Sequence, residues 1–450
     1  MNVETPSSAE AAASLATYGA VAVGVAGLVL ASALAYPPVA AAVSTVGTAL
    51  LVGISLRAIW SSALAARSPS PPAPPVGEWP AVTLVVTAYN EADVLGETLD
   101  ACRALDYPNL GIVVCYESAS TDGTAAIATA ADRADDRVTA VRRDAPPGGK
   151  AAAVNHALRH ASGDIVASID ANQRPERGML RRAVRWFEDD DVWCVKGRCY
   201  GTNAAASPIA LHATVERHLL ERAEFYARDV FGGFTIFTGG QVVFRRELVE
   251  AVGQFDETIL IEDVDMACRT HRAGFGLRVD PGIVTHEDNP ASLGAWVSQR
   301  RRWARGAFQV AQRHAVGLLR SPSVSPVAKL DAAFTFGYVL LAPILFLSLP
   351  ALWIASPSPA ADPVGAALRL SPAVAGLFAA AVVFSLDAAA GRPHDGREYL
   401  APFTLWAYAA VQGVVVVTAF ADEFVLDAPV TYVTSSTDDS TDDSAVSAED

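Results

Sequence analysis

Val82-Thr83-Leu84-Val85-Val86-Thr87-Ala88-Tyr89-Asn90-Glu91 reads as a short apolar strand that ends in polar and aromatic groups just before a helical pattern over 91–104. The alternation then repeats. Residues 111–115, 138–141 and 165–169 read as strands, with helical stretches at 124–134 and 150–161 between them. Strands alternating with helices of this length predict a parallel α/β sheet within a domain over residues 79–320. Ligands of such sheets bind at the carboxyl ends of the strands, so the informative residues should follow each strand.

Outward from this domain the composition changes. Of the 450 residues 51% are hydrophobic, and the excess sits at the two ends. Apolar runs at 18–35 and 39–60, joined by Tyr36-Pro37-Pro38, predict a membrane hairpin over 1–67. The first run is not a cleaved signal peptide, because no basic stretch precedes it and a second span follows at once. A stiff Pro-rich linker occupies 68–78. Three further runs at 332–355, 364–387 and 400–421 predict C-terminal spans within 321–421. The segment 422–450, with Asp438-Asp439 and Asp442-Asp443, is too polar and acidic to fold alone. Five spans with the central domain in the cytoplasm put Arg57, Arg67, Arg392 and Arg397 inside and the acidic tail outside, as the positive-inside rule asks.

The formal charge of −15 argues against a nucleic-acid partner. Lys150, Lys196 and Lys329 are the lysines, and arginine supplies the rest of the basic residues. That usage with excess acid fits a salt-adapted host or a GC-rich genome. Five cysteines without a CxxC spacing point to reduced thiols rather than a disulfide or zinc framework. His156 and His160 lie four apart on a helix with no third ligand nearby, and read as surface residues.

The chemistry-bearing groups come in order. Thr87, Tyr89 and Asn90-Glu91 follow the first strand, and Glu117 with Ser120-Thr121-Asp122-Gly123-Thr124 follows the second. Ser-Thr-Asp before a helix is also an ordinary N-cap. Gly149-Lys150 and Asn155 open the next helix. The run Gly148-Gly149-Lys150 lacks the Ser or Thr and the earlier Gly of a Walker phosphate loop. Asp170-Ala171-Asn172 places two oxygen side chains where they can share a divalent cation and a pyrophosphate. Gly239 lies in Phe237-Thr238-Gly239-Gly240 before a strand, and Glu262-Asp263 opens a helix. Gln299, Arg302 and Trp303 share a helix face by the i, i+3, i+4 rule, with Trp296 expected just below.

This series, from Pro80 to Gly306 with its flanking membrane helices, resembles the membrane glycosyltransferases of family two, the cellulose, chitin and hyaluronan synthase-like group. The resemblance implies a GT-A (Rossmann-like) domain flanked by transmembrane helices, at the cell membrane. It implies inverting transfer of a sugar from a nucleotide-diphosphate donor, commonly UDP-linked, to a growing glycan or, alternatively, to a lipid-linked acceptor. A scaffold without activity is a further alternative. Thr87, Tyr89 and Glu117 would cradle the base and Lys150 the phosphates. Asp170 and Asn172 would hold Mg²⁺ or Mn²⁺. Asp263 would be the general base, and Arg302 would stabilise the leaving diphosphate. Gly239, Glu262, Gln299 and Trp303 would face the acceptor. Two departures stand out: Glu117-Ser118 replaces the usual Asp-Asp, and Asn172 replaces the second Asp of Asp-x-Asp.

Overall fold

The computed structural model describes residues 8–145, 148–392, 394–426 and 428, with side chains from residue 19 onward. The acidic run from 429 and Pro393 of the 391–397 loop lie outside the described residues. Helices α1 (Ser8–Ala35) and α2 (Pro37–Ala65) form a hairpin, with Pro37 and Pro38 in the first turn of α2, where a missing N–H costs nothing. The Pro-rich linker lies against the central domain, its Pro71 and Pro72 carbonyls accepting from Arg185.

Next come β1 (Val82–Ala88), α3 (Ala92–Arg103), β2 (Leu110–Glu117), α4 (Thr124–Ala134), β3 (Val138–Arg143), α5 (Gly149–Leu158) and β4 (Ile165–Asp170). They follow the alternation read from the sequence. The chain continues through β5 (Arg174–Pro175), α6 (Met179–Val184), β6 (Val192–Gly201), α7 (Pro208–Leu219), α8 (Tyr226–Val230) and β7 (Val242–Arg245). Then α9 (Glu247–Val252), α10 (Glu262–Ala273), β8 (Gly276–Glu287) and α11 (Leu293–Arg320) complete the domain.

The eight strands form one sheet in the order β3-β2-β1-β4-β7-β6-β8-β5. Its first half is parallel, as expected. The second half is mixed, because β7 runs antiparallel to both β4 and β6. β7 enters at the carboxyl end of β4 and runs back along it, so a wholly parallel sheet does not form. Alternate residues of β1 face two separate apolar layers: Leu84 and Val86 pack with Ile112 and Ile169, and Val85 packs with Val113 and Val166. Burial on both faces is why these strands are continuous apolar runs. All five cysteines are buried free thiols.

C-terminal to α11 lie α12 (Pro326–Ile354), α13 (Pro363–Arg369), α14 (Ser371–Ala389) and α15 (Leu405–Phe424). Among the described residues α2, α12, α14 and α15 are long and apolar enough to cross a membrane, and Gly19–Ala35 of α1 is a shorter apolar helix. Leu28, Val46, Ile344 and Trp406 stand exposed on these helices, a surface suited to lipid rather than water. The C-terminal helices differ from the sequence expectation in their bounds, α12 beginning at Pro326 and α15 at Leu405. The run at 364–387 is broken at Leu370, since Pro363 and Pro372 each begin a helix of their own. The last helix runs past 421 because Asp422 and Glu423 pair with Arg301 and Arg305 of α11.

Ion pairs, buried and half-buried, fasten the membrane helices to the domain. Arg57 of α2 meets Glu224 at 2.9 Å and Asp331 of α12 at 2.6 Å. Arg198 of β6 meets Asp387 of α14 through both carboxylate oxygens, at 2.6 and 2.7 Å. Arg392 binds both oxygens of Glu176. These contacts put the Arg57 end of α2 and the α14–α15 loop on the side of the domain. Side-chain exposure is 1% for Arg198 and 3% for Asp387. Removing one partner of such a pair strands a buried charge, at a cost of about 3–5 kcal/mol. Asp387→Ala should therefore lower the thermal unfolding midpoint of the detergent-purified protein well below that of a surface control such as Asp144→Ala.

Candidate active site

The carboxyl ends of β1, β2 and β4 carry the first group of site residues. The loops after β1 and β2 are stitched together. The Thr121 N–H donates to Asn90 Oδ1 at 2.8 Å, and Asp122 accepts from the backbone of both Ala92 and Thr124 at 3.0 Å. Asp122 thus takes an N–H at the start of both α3 and α4, while the cap position of α4 itself is Gly123, not a residue of the Ser-Thr-Asp run. Thr87, Tyr89 and Glu117 line the cavity that opens here. Glu117 is buried, and both of its oxygens accept from Arg143 Nη1, at 2.9 and 3.1 Å. Burial raises its pKa, with Arg143 opposing. The sequence reading missed Arg143. Its one signal is register: as the last residue of β3 it stands directly opposite Glu117, the last of β2.

Lys150, near the start of α5, forms an ion pair with Asp170 Oδ1. The other Asp170 oxygen accepts from the Gly240 N–H at 3.1 Å. Burial pushes the Asp170 carboxyl up, but the Lys150 ammonium outweighs it and holds the group below the usual carboxylate range. Asn155 fixes the loop between α9 and α10: its amide donates to the Phe255 carbonyl at 2.9 Å and accepts from the Phe255 N–H at 3.0 Å.

Asp263 sits in the first turn of α10 and accepts from the N–H groups of Gly239 and, at 2.8 Å, Val264. Burial raises the pKa of both Glu262 and Asp263; the Asp263 charge adds to the rise at Glu262 and the Asp170 charge to that at Asp263, with Lys150 opposing both. Arg302 donates to the Leu260 carbonyl at 3.3 Å, and a Cβ on Gly306 would meet the Ile261 side chain at 2.8 Å. This face of α11 therefore holds the strand of chain that delivers Glu262 and Asp263.

The twelve residues to which the resemblance gives a role line a single cavity of about 2180 Å³: Thr87, Tyr89, Glu117, Lys150, Asp170, Asn172, Gly239, Glu262, Asp263, Gln299, Arg302 and Trp303. Trp296 does not. It is buried against α15, donating to the Tyr408 hydroxyl at 2.8 Å, because α15 covers that side of α11. The cavity then continues between the membrane helices, past Leu51, Phe346, Leu349 and Val414. Glu216, Arg217 and Glu221, from α7 and the π-helical turn Leu220–Phe225, also line it, as does Gln412 of α15. Nothing local in the sequence marks them, since they meet the motifs only through tertiary packing.

With this geometry in hand the relatives can be placed. Residues 80–306, just over half of the chain, match the family described as Glycosyltransferase like family 2. The chain is a family 2 glycosyltransferase. It is 30% identical over 243 residues to a beta-monoglucosyldiacylglycerol synthase of Synechocystis, covering 51% of this chain and 48% of that one. It is 26% identical over 239 residues to a poly-beta-1,6-N-acetyl-D-glucosamine synthase of Staphylococcus aureus, covering 53% and 57%. The chain thus spans about half the length of these curated relatives. The mannosyltransferase PcManGT of Pyrobaculum calidifontis, solved in complex with GDP-Man and Mn²⁺, superposes with a TM-score of 0.59 at 27% identity. That match covers 85% of this chain and 98% of the other, membrane helices included in the span.

The oxygen set of this glycosyltransferase fits a hard divalent cation. The Asp170 carboxylate and the Asn172 amide follow β4, and Glu262 and Asp263 line the same cavity. A second cluster, His218, Asp387 and His394, has ligand atoms within 4.8 Å of one another. There Arg198 already occupies both Asp387 oxygens. His394 contacts Asp387 at 3.0 Å and Glu398 at 2.9 Å; burial opposes its protonation, but the two carboxylates hold its pKa up at about 9. Two cations against two carboxylates form a closed ion network, with no charge left for a metal.

A Cβ on Gly240 would lie 2.0 Å from Gln173 Oε1 and 2.7 Å from the Asp170 N. Gly240→Ala should displace Asp170 and lower sugar transfer at least about tenfold, whereas Gly178→Ala, where a Cβ meets nothing within 4 Å, should not. The check is initial-rate assay of both variants at matched expression.

Proposed function

We propose that this glycosyltransferase moves a sugar from a nucleoside-diphosphate donor to the hydroxyl of an acceptor anchored in the membrane. The observation that carries this reading is the cavity's continuity. It leads from Asp170 and Asp263 into a part walled by Leu51, Phe346, Leu349 and Val414. Such a wall solvates a hydrocarbon chain and offers nothing to the hydroxyls of a glycan. The bound GDP-Man and Mn²⁺ of the superposed mannosyltransferase support a nucleotide-sugar donor and a divalent ion. The glycolipid named for the Synechocystis relative supports a lipid acceptor. Elongation of a polysaccharide is the second reading, supported by Trp303 and Gln299 at the cavity wall and by the Staphylococcus relative.

In this mechanism Thr87, Tyr89 and Glu117 receive the base. Asp170 and Asn172 would hold Mg²⁺ or Mn²⁺, which supplies positive charge to the leaving diphosphate. Lys150 and Arg302 stabilise the same charge as it grows. Asp263 takes the proton of the acceptor hydroxyl as its oxygen attacks the anomeric carbon, inverting the configuration. Its burial suits the task, since a carboxylate with a raised pKa is the stronger base. Gln299, Trp303, Gly239 and Glu262 face the acceptor. We further propose a multi-pass enzyme of the cell membrane with the catalytic domain cytoplasmic, supported by the arginines 57, 67, 392 and 397 on the domain side.

Membrane vesicles given radiolabelled nucleotide sugars should yield product that partitions into organic solvent. Label retained wholly in a water-soluble polymer would establish elongation instead. Asp263→Asn should lower turnover by about 10²–10⁴-fold with nucleotide affinity kept. A raised pKa means the proton leaves only above the usual carboxylate range. The wild-type rate should therefore fall as pH drops through that raised value, and Asp263→Asn should lose this acid limb. Asn172→Asp should lower the metal concentration needed for half-maximal rate. An unchanged requirement would remove Asn172 from the metal site.

A further inference from the structure

Resting on the lipid-acceptor reading, the cavity wall between the reaction centre and the membrane identifies which lipids fit. Three helices meet there. Glu216 of α7 pairs with Arg300 of α11 at 2.6 Å, and accepts from the Tyr408 hydroxyl at 2.8 Å and from Gln412 Nε2 at 3.2 Å, both of α15. Arg300 also lies over Trp303, 4.5 Å from the ring centroid. Glu216, Arg300 and Gln412 all line the cavity.

Two polar atoms in this wall are buried without a hydrogen-bond partner: Gln299 Oε1, an acceptor, and Arg300 Nε, a donor. Buried groups of this kind are ordinarily satisfied, so a polar ligand is the natural complement. One donor and one acceptor is the pattern that hydroxyl groups answer, since each can both give and take a hydrogen bond.

Charge pairing narrows the class further. Of the cations lining the cavity, Arg300 is paired with Glu216, Arg217 with Glu287, Lys150 with Asp170 and Arg369 with Asp362. Among the described lining residues Arg302 alone has no carboxylate within ion-pair distance, and its one bond is to the Leu260 carbonyl near Asp263. That position belongs to the donor diphosphate. An acceptor phosphate entering from the membrane would find no uncommitted cation.

We propose that Glu216, Gln299, Arg300 and Gln412 form a headgroup subsite for a neutral, hydroxyl-bearing lipid, a glycerol or sugar head on hydrocarbon chains, and that this subsite disfavours a lipid phosphate. Gln412 and Glu216 act as specificity-determining residues here, holding the acceptor hydroxyl toward Asp263. The step is the displacement already described: the acceptor oxygen bonds to the anomeric carbon, the diphosphate leaves, and the hydroxyl proton passes to Asp263.

The test uses the full-length enzyme in lipid nanodiscs with its donor sugar and four acceptors in separate arms: a diacylglycerol, a monoglycosyl diacylglycerol, a polyprenyl monophosphate and a soluble oligosaccharide. The neutral lipids should be used with a kcat/KM at least about tenfold above the polyprenyl phosphate, and the first two arms separate a glycerol head from a sugar head. Equal or better use of the polyprenyl phosphate overturns the subsite while leaving the lipid reading standing. Use of the soluble oligosaccharide alone overturns the lipid reading itself. Glu216→Gln, which frees Arg300, should raise the KM for the neutral acceptor several-fold, leave the donor KM unchanged and narrow the discrimination against phosphate. Gln412→Leu keeps every charge and should raise the acceptor KM alone, so it carries the test if the first variant folds poorly. An unchanged acceptor KM in Gln412→Leu refutes the assignment.

Discussion

The antiparallel return of β7 beside β4 is the constraint on which the site depends. Because β7 starts where β4 ends, with Ser168 opposite Val242, the loop before β7 lies directly over Asp170. Its two glycines then place backbone N–H groups on the two carboxylates that matter, Gly240 on Asp170 and Gly239 on Asp263. Gly239 has a φ of +70°, a conformation open to glycine at little cost. A wholly parallel sheet would have left this edge without a chain to bridge β4 and α10. The bridge fixes two acidic groups whose mutual repulsion would otherwise push them apart, and it does so with neutral dipoles, so that Lys150 pairs with Asp170 alone and Arg302 keeps no carboxylate partner.

The same preference for arginine–carboxylate pairs recurs wherever the domain meets the membrane helices. Arg57, Arg198, Arg300, Arg301, Arg305 and Arg392 each engage a carboxylate across that boundary or against the domain. A guanidinium can hold two carboxylate oxygens at once, as Arg198 and Arg392 do, which a lysine cannot. The scarcity of lysine in the chain therefore has a structural correlate beyond host or genome composition. Each pair also fixes a direction, so the helices are oriented on the domain as well as attached to it.

What the sequence made legible were the elements whose pattern is local. β1 to β4 with their helices, the turn glycines and the acidic start of α10 follow from runs of a few residues, and so do the groups at the strand ends. The second half of the sheet was not legible, because β6, β7 and β8 pair out of sequence order and their direction depends on where a long excursion returns. Helical periodicity placed Trp296 with Trp303, yet periodicity cannot say which neighbour covers a face, and α15 covers that one. Arg143 and Glu117 are 26 residues apart, Glu216 and Gln412 196 apart. Pairs so distant in sequence leave no mark on a reading of single motifs.

The cavity joins two environments that make opposite demands. At the donor end the ligand is highly charged, and the wall answers with Lys150, Arg302 and the oxygen set around Asp170. Toward the membrane the wall becomes apolar, and a charge stranded there would be costly. The Glu216–Arg300 pair stands at the change between the two. Closed on itself and braced by Tyr408 and Gln412, it brings no net charge, yet it supplies the polarity that hydroxyl groups need as they leave the interface. A reaction that draws one substrate from water and the other from lipid needs such a step in polarity, and here α7, α11 and α15 build it from side chains that none of the family's motifs contains in full.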